Sequence, residues 1–318
     1  MNTAAKLTGY AAVLALVATA GWGLGAVAGP DDGRAEPQRA KPSKHGGHDG
    51  DTKKTAAQDP AGLASTANGY TFAPATTRLP ADGGTFAFRI LGQNGKPVKK
   101  FAVEHEKRMH LIVVRRDTSG FQHVHPTMAA DGTWRIDMRL PKAGSYRAFA
   151  DFAPEGGDGQ TLGVDLSVAG NFEPVDHPVS RTATVDGYEV TMTGDLVSGR
   201  SSEVTLRVRK DGRDVTDLEP YLGAYGHLVA LRTGDLAYLH VHPEGEPGDG
   251  KTEPGPEVTF AAEVPSADTY RLFLDFKHDG EVRTADFTLP TRGQPVPKPT
   301  GSTTDSDDHD DEPHGHGD

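Results

Sequence analysis

The sequence predicts an all-β protein with two tandem immunoglobulin-like β-sandwich domains, which follow an N-terminal hydrophobic helix. Long stretches of the chain occur twice in the same order, and short runs within each copy alternate between apolar and polar residues. After residue 29, no long segment has the 3.6-residue period of an amphipathic helix. We therefore divide the chain into a signal peptide or membrane anchor at 1–30, a disordered linker at 31–69, a first sandwich at 70–169, a second sandwich at 170–291 and a disordered, acidic, His-rich tail at 292–318.

The internal repeat sets the two-domain division. The segment MHLIVVRRDTSGFQHVHP (109–126) aligns without a gap with GHLVALRTGDLAYLHVHP (226–243), and SYRAFADF (145–152) aligns with TYRLFLDF (269–276). The extra residues of the second copy lie in the Gly- and Pro-rich loop 244–257. Because insertions are tolerated in surface loops, this pattern indicates a duplicated domain.

Each copy has the sequence pattern of short β-strands. Period-2 alternation occurs in TFAFRI (85–90) and TWRIDMRL (133–140) of the first copy, and in EVTLRV (203–208) and TFAAEV (259–264) of the second. Asp-Gly dipeptides separate many of these runs, as expected for turns. About seven short strands in about 110 residues indicate an immunoglobulin-like sandwich.

The composition excludes several classes of function. The chain has 14 histidines, no cysteine and a net charge of −12. The lack of cysteine excludes disulfides, thiolate metal sites and a cysteine nucleophile. The acidic balance argues against nucleic acid as a partner, because phosphate neutralisation needs a basic surface. No serine-hydrolase, zinc-protease, phosphate-binding or dinucleotide motif is present, so we expect no catalytic turnover.

The N-terminal segment predicts that the protein acts outside the cytoplasm. Residues 7–29 carry no charge, and Lys6 before them marks the cytoplasmic side. The segment could be a signal peptide cleaved after 26–28 (Ala-Val-Ala), or an uncleaved anchor that is long enough to span the membrane. The protein is therefore expected to be membrane-tethered with extracytoplasmic domains, or secreted.

Six histidines occupy matched positions in the two copies. His123 and His125 are two residues apart and share one face of a strand. If 110–114 and 121–125 pair around the loop 115–120, His110 lies opposite His125, and three imidazoles meet at one end of a hairpin. The predicted metal ligands are His110, His123 and His125 in the first domain and His227, His240 and His242 in the second. Converging neutral imidazoles suit zinc or copper ions.

Other residues near these histidines are further candidates. Met109 and Met128 could ligate reduced copper in the first domain. His105 has no histidine counterpart in the second domain. Asp151 and Asp275 are repeated, and could ligate a metal or accept a hydrogen bond from a ligand imidazole.

The histidines outside the two domains have two interpretations. His45 and His48 lie in the linker, and His309, His314 and His316 lie among carboxylates near the C terminus. Such tracts can collect metal ions loosely, or they can simply keep the protein soluble.

The repeated histidines also leave two functions open. The first is an extracytoplasmic protein that binds copper or zinc through a three-histidine cluster in each domain. The alternative is a non-catalytic cell-surface structural or interaction protein whose histidines stabilise loops.

The paired domains with an HL(I/V)…HVHP hairpin, after one N-terminal hydrophobic segment, resemble a group of secreted or membrane-anchored bacterial proteins. Each domain, with its TFAFRI…GKPV opening, is also similar to the extracytoplasmic sandwiches of the CopC/YtkA-like type. CopC-like proteins bind copper through histidines on a β-sandwich, so the resemblance implies copper as the metal. The usual N-terminal histidine ligand of CopC proteins has no counterpart here, because this N terminus is an export segment.

Overall fold

A computed structural model of the chain describes residues 60–239 and 241–293 and confirms the all-β prediction. The hydrophobic segment 7–29, the C-terminal histidines and His240 lie outside the described residues. Within the described ranges, no helix is long and apolar enough to cross a membrane. The strands form four antiparallel sheets, two in each repeat.

The first repeat is a sandwich of a five-stranded and a four-stranded sheet. The larger sheet has the order β1-β2-β3-β7-β6 and the smaller has the order β5-β4-β8-β9. The strands are β1 (Thr66–Ala67), β2 (Tyr70–Pro74), β3 (Gly84–Leu91), β4 (His110–Arg115), β5 (Gln122–Val124), β6 (Thr127–Met128), β7 (Trp134–Met138), β8 (Gly144–Phe152) and β9 (Gln160–Val168).

The second repeat has the same plan. One sheet runs β10-β11-β12-β17-β16, with β13 also paired to β12, and the other runs β15-β14-β18-β19. The strands are β10 (Thr182–Val185), β11 (Tyr188–Thr193), β12 (Arg200–Lys210), β13 (Arg213–Asp214), β14 (His227–Arg232), β15 (Tyr238–Leu239), β16 (Val241–Pro243), β17 (Glu257–Val264), β18 (Thr269–His278) and β19 (Glu281–Pro290).

Alternation along the strands builds a separate core inside each sandwich. In β3, Phe86, Phe88 and Ile90 are buried and face the opposite sheet, while the residues between them are more exposed. In β12 of the second repeat, the alternate residues Val204, Leu206 and Val208 are likewise buried in the core. Each sandwich therefore has its own hydrophobic core.

A third apolar cluster joins the two repeats, which belong to one compact unit (Ala56–Asp318). The sheets that contain β4 and β14 meet face to face. Phe121 stacks on Phe273 with ring centroids 4.1 Å apart, and Phe149 packs on Tyr238 at 5.7 Å. The sequence repeat aligns Phe121 with Tyr238 and Phe149 with Phe273, so each repeat contributes the same surface. This reciprocity is that of an approximate two-fold axis between the repeats.

The described chain starts inside the segment 31–69 that the composition assigned to the linker. Gly62 donates a backbone hydrogen bond to Thr161, and its carbonyl accepts the guanidinium of Arg147. Its φ of +76° and the adjacent Phe149 ring leave no room for a side chain. Ala61 also accepts a backbone hydrogen bond from Tyr238 of the second repeat. These contacts order residues from 60 onward, although their composition is that of a linker.

Candidate metal centre

The hairpin of β4 and β5 has the predicted register. Leu111 pairs with Val124 and Ile112 with His123, so His110 lies at the level of His125. The chain then leaves this sheet, since Thr127 pairs with Arg135 in the other sheet of the sandwich. His125 therefore lies at the crossing between the two sheets, beside His110.

The three imidazoles of the first repeat converge. His110, His123 and His125 each offer a ring nitrogen, and the three atoms lie within 4.8 Å of one another. The ring centroids are 4.9–5.3 Å apart. The closest approach is 3.1 Å, between Nδ1 of His110 and Nε2 of His123.

Hydrogen bonds on the outer sides of two rings fix which outer nitrogen carries an N–H. Nε2 of His110 lies 3.1 Å from the carbonyl oxygen of Glu104, which can only accept, so this nitrogen donates. Nδ1 of His123 lies 2.8 Å from the carboxylate of Asp275 and donates to it. When both rings are neutral, each carries one N–H, which these outer contacts use, so the inner nitrogens then present lone pairs to each other. Such an arrangement favours a cation between the rings.

Two further ring nitrogens in the cluster are buried without a hydrogen-bond partner among the described residues. They are Nε2 of His125 and Nδ1 of His227. Leaving a buried polar atom unpaired costs about 1–3 kcal/mol. A bound cation would satisfy such an atom.

Burial keeps these histidines neutral. It lowers the pKa of His110 to about 4 and that of His125 to about 3, and the nearby His123 adds to both shifts. Burial also holds the pKa of His227 well below its usual value. Neutral imidazole is the form that binds metal ions.

His227 lies in the same cluster as the first triad. It begins β14 and pairs with Asp275 of β18, yet its ring stacks on His110 at 5.7 Å and lies 4.7 Å from His123. His123, His227 and Asp275 form a second group whose ligand atoms lie within 4.8 Å of one another. The cluster therefore includes residues of both repeats.

The structure places His242 apart from the buried cluster. It lies in β16, pairs with Ala261 in the other sheet and is exposed. Together with His105, Asp151 and His110, it lines a cleft of about 1030 Å³. The cleft connects His110 with solvent.

The methionines and the repeated aspartates have distinct surroundings. Met109 is buried in the core of the first sandwich, and Met128 packs against that core. Asp275 accepts a hydrogen bond from His123, and Asp151 accepts one from Thr161 at 3.1 Å. Burial raises the pKa of Asp151 to about 6. Residue spacing alone did not indicate that His123 and Asp275, in different repeats, would meet.

Comparison with known proteins identifies a family. A family model described as a domain of unknown function, DUF8832, matches residues 65–170 and 183–293, which are the two sandwiches. No match to a CopC- or YtkA-like family accompanies it, so that resemblance stays a prediction. Among curated proteins, none is significantly similar to the chain.

Several solved structures are distantly similar. A DUF4426 family protein from Pseudomonas aeruginosa is 11% identical, with 35% of this chain and 96% of that chain covered and a TM-score of 0.24. The Ig1-2 module of the Drosophila receptor protein tyrosine phosphatase DLAR is 10% identical, with 70% and 96% covered and a TM-score of 0.19. Invasin, a bacterial integrin-binding protein, is 14% identical, with 69% and 39% covered and a TM-score of 0.20.

Proposed function

Since the chain belongs to the DUF8832 family, whose description assigns no activity, we propose its function from the histidine cluster. The protein binds a divalent zinc or copper ion, with His110, His123 and His125 as ligands, and catalyses no reaction. We place this binding outside the cytoplasm, at the membrane surface if the segment 7–29 remains as an anchor.

The observation that carries this proposal is the pair of facing nitrogens in His110 and His123. They lie 3.1 Å apart, and the outer nitrogen of each ring donates to a group that only accepts. A proton on Nε2 of His123 could bridge the two nitrogens, but it would leave Nε2 of His125 without a partner. A metal ion relieves the repulsion of the lone pairs and also uses the unpartnered nitrogen of His125.

The donor set favours Zn²⁺ or Cu²⁺ over reduced copper. Imidazole nitrogen suits both divalent ions, whereas Cu⁺ prefers sulfur ligands. Met109, the nearest methionine in the sequence, is packed in the core of the first sandwich. The hydrogen bonds from His110 to Glu104 and from His123 to Asp275 are those that orient metal-ligating histidines in proteins.

A structural or interaction role is the second candidate, and one contact favours it. The hydrogen bond between His123 and Asp275 joins the two repeats at the edge of their shared apolar cluster. In this interpretation, the histidines hold two immunoglobulin-like domains together and present a surface to another protein. Metal removal would then leave the stability of the protein unchanged.

For the second repeat, the predicted triad His227, His240 and His242 stays a proposal. His227 lies among the first-repeat histidines, and His242 lines the cleft that leads to them. The linker and tail histidines would collect cations loosely before they reach the buried ligands.

Metal titration of the full chain tests the proposal. In the parent and in each variant, glutamine replaces the linker and tail histidines (His45, His48, His309, His314 and His316). We expect at least one tight equivalent of Cu²⁺ or Zn²⁺ and a higher Tm in its presence. His123→Gln should abolish tight binding, and Lys142→Gln, at an exposed position, should not. Equal weak binding by all three proteins, with no effect of chelator on Tm, would favour the structural role.

A further inference from the structure

On the side of His123 that faces the second repeat, the geometry points to a second cation position, formed by Nδ1 of His123, His227 and Asp275. This inference rests on the proposed function, because it places a second ion beside the first. The three residues each offer a ligand atom, and these atoms lie within 4.8 Å of one another. The side chains of His123 and Asp275 are almost completely buried, at 1% and 3% exposed.

An unpartnered nitrogen of His227 supports this position independently. Nδ1 of His227 is buried and has no hydrogen-bond partner among the described residues. The His227 ring lies 4.7 Å from that of His123, and β14 places His227 directly opposite Asp275. His227 therefore has two neighbours that offer ligand atoms, Asp275 through strand pairing and His123 through ring contact.

Asp275 is held in an orientation that suits a ligand. Its Oδ1 accepts the hydroxyl of Thr284 at 2.6 Å, and its Oδ2 faces Nδ1 of His123 at 2.8 Å. Oδ2 has no other side-chain partner among the described hydrogen bonds. With the proton between them lost, Oδ2 and Nδ1 would both have lone pairs available to a cation beside their 2.8 Å contact.

Binding of the second cation requires that proton to leave. When the bond from Nδ1 to the second cation forms, the Nδ1–H proton is released to solvent and its electron pair goes to the cation. His123 would then be an imidazolate that could offer Nε2 to the first cation and Nδ1 to the second. No oxidation or reduction takes place.

The charges of the two positions fit this arrangement. With one ion bound, the first position has three neutral imidazoles; the second ion would be bound by the Asp275 carboxylate and by the imidazolate that its own binding creates. Two anionic ligands offset the charge of a second buried divalent ion. The second ion therefore needs the acidic side of His123, which only the second repeat supplies.

Copper titration followed by electron paramagnetic resonance tests the inference. The same full chain with glutamine at the linker and tail histidines is used, with Cu²⁺ as the probe. The first equivalent should give the spectrum of an isolated Cu²⁺ ion. The second should release a proton and reduce the signal, because two Cu²⁺ ions bridged by imidazolate couple their spins.

Variants then separate the two positions. His227→Gln should retain the first equivalent and lose the coupled second one. Asp275→Asn should bind the first ion more weakly and also lose the coupling, and Lys142→Gln, at an exposed position, should behave as the parent. If the second equivalent adds linearly to the signal, or if His227→Gln leaves the coupling intact, the second position is overturned. The coupling is measured in the parent protein, so a variant that fails to fold does not block the test. Absence of the first equivalent in the parent would instead contradict the proposed function.

Discussion

The two repeats carry the same HVHP motif but place it differently. In the first repeat, Val124 is still paired with Leu111 of β4. In the second, the corresponding Val241 is already paired with Ala262 in the opposite sheet. The strand therefore changes sheets earlier in the second repeat, and His242 is exposed while His125 remains beside His110. A duplicated sequence specifies the strand, but the point at which the strand crosses between sheets decides which histidines converge.

What the repeats share is a ladder of three residues across their smaller sheets. His110, Asp151 and Thr161 are neighbours on β4, β8 and β9. The second repeat has His227, Asp275 and Thr284 in the same relation, and both aspartates accept the threonine hydroxyl. Only Asp275 also receives an imidazole from the other repeat among the described hydrogen bonds. The difference lies in the contacts between repeats and not in the ladders.

The largest expected effect comes from the aromatic contacts between repeats. Phe273 is 2% exposed and stacks on the partly buried Phe121. Phe273→Ala should lower the free energy of unfolding by about 3–5 kcal/mol, because it opens a cavity in the shared cluster. Phe121→Ala should cost less, since more of its ring is already in contact with water. Denaturant unfolding of both variants measures this, and equal losses would contradict the asymmetry.

Much of this architecture follows from sequence patterns, and the reasons are local. Alternation predicted the strands, and the loop 115–120 fixed the register that places His110 at the level of His125. The run Leu-Ile-Val-Val at 111–114 is apolar on both faces, which is typical of a strand buried on both sides. That pattern is the signal that the second repeat covers this sheet.

The meeting of His123 with Asp275 could not be predicted from the sequence. It depends on how two sheets pack face to face, and no spacing along the chain encodes that packing. The crossing point of the HVHP strands is equally hidden, because the two motifs are identical where the strands diverge. The contacts of Ala61 and Gly62 with the two repeats are hidden for another reason, since they are made by backbone groups that any composition provides.

The second-largest expected effect is a pH dependence of the free energy of unfolding of the metal-free protein. The folded pKa of His110, at about 4, lies below the unfolded value of 6.5, so the unfolded chain binds more protons between these values. The stability contribution is present above pH 6.5 and is lost as the pH falls toward 4, by an amount on the order of 3 kcal/mol. Denaturation of the chelator-treated chain at pH 7.5 and 4.5 measures the loss.

His110→Asn is the matched variant for this prediction. Its stability should fall less between the two pH values, because it lacks the buried neutral imidazole. The contribution of Asp151, whose raised pKa of about 6 acts in the opposite direction, is present in both proteins. The same loss of stability in parent and variant would show that His110 does not remain neutral in the folded state.

A third prediction compares the two repeated aspartates. Asp275→Asn should lower the affinity for the first cation about 10- to 100-fold, because it removes the carboxylate charge that holds the N–H of His123 and orients its ring. Asp151→Asn should change it by only a few-fold, since its described side-chain hydrogen bond is to Thr161. Competition with a chelator of known affinity measures both. Equal losses would indicate that the two ladders contribute equally to the site.

The smallest expected effect is at His242, and it tests the sheet crossing directly. His242→Gln should change the free energy of unfolding by no more than about 0.5 kcal/mol, as is usual for exposed positions, and should leave the first equivalent in place. His125→Gln replaces the aligned histidine of the first repeat and removes a buried, unpartnered ring nitrogen. It should therefore strongly lower the affinity for the first cation. Metal content after dialysis distinguishes the two. If both variants lose the cation to the same degree, His242 closes onto the cluster when the metal binds, and the crossing does not separate the two repeats.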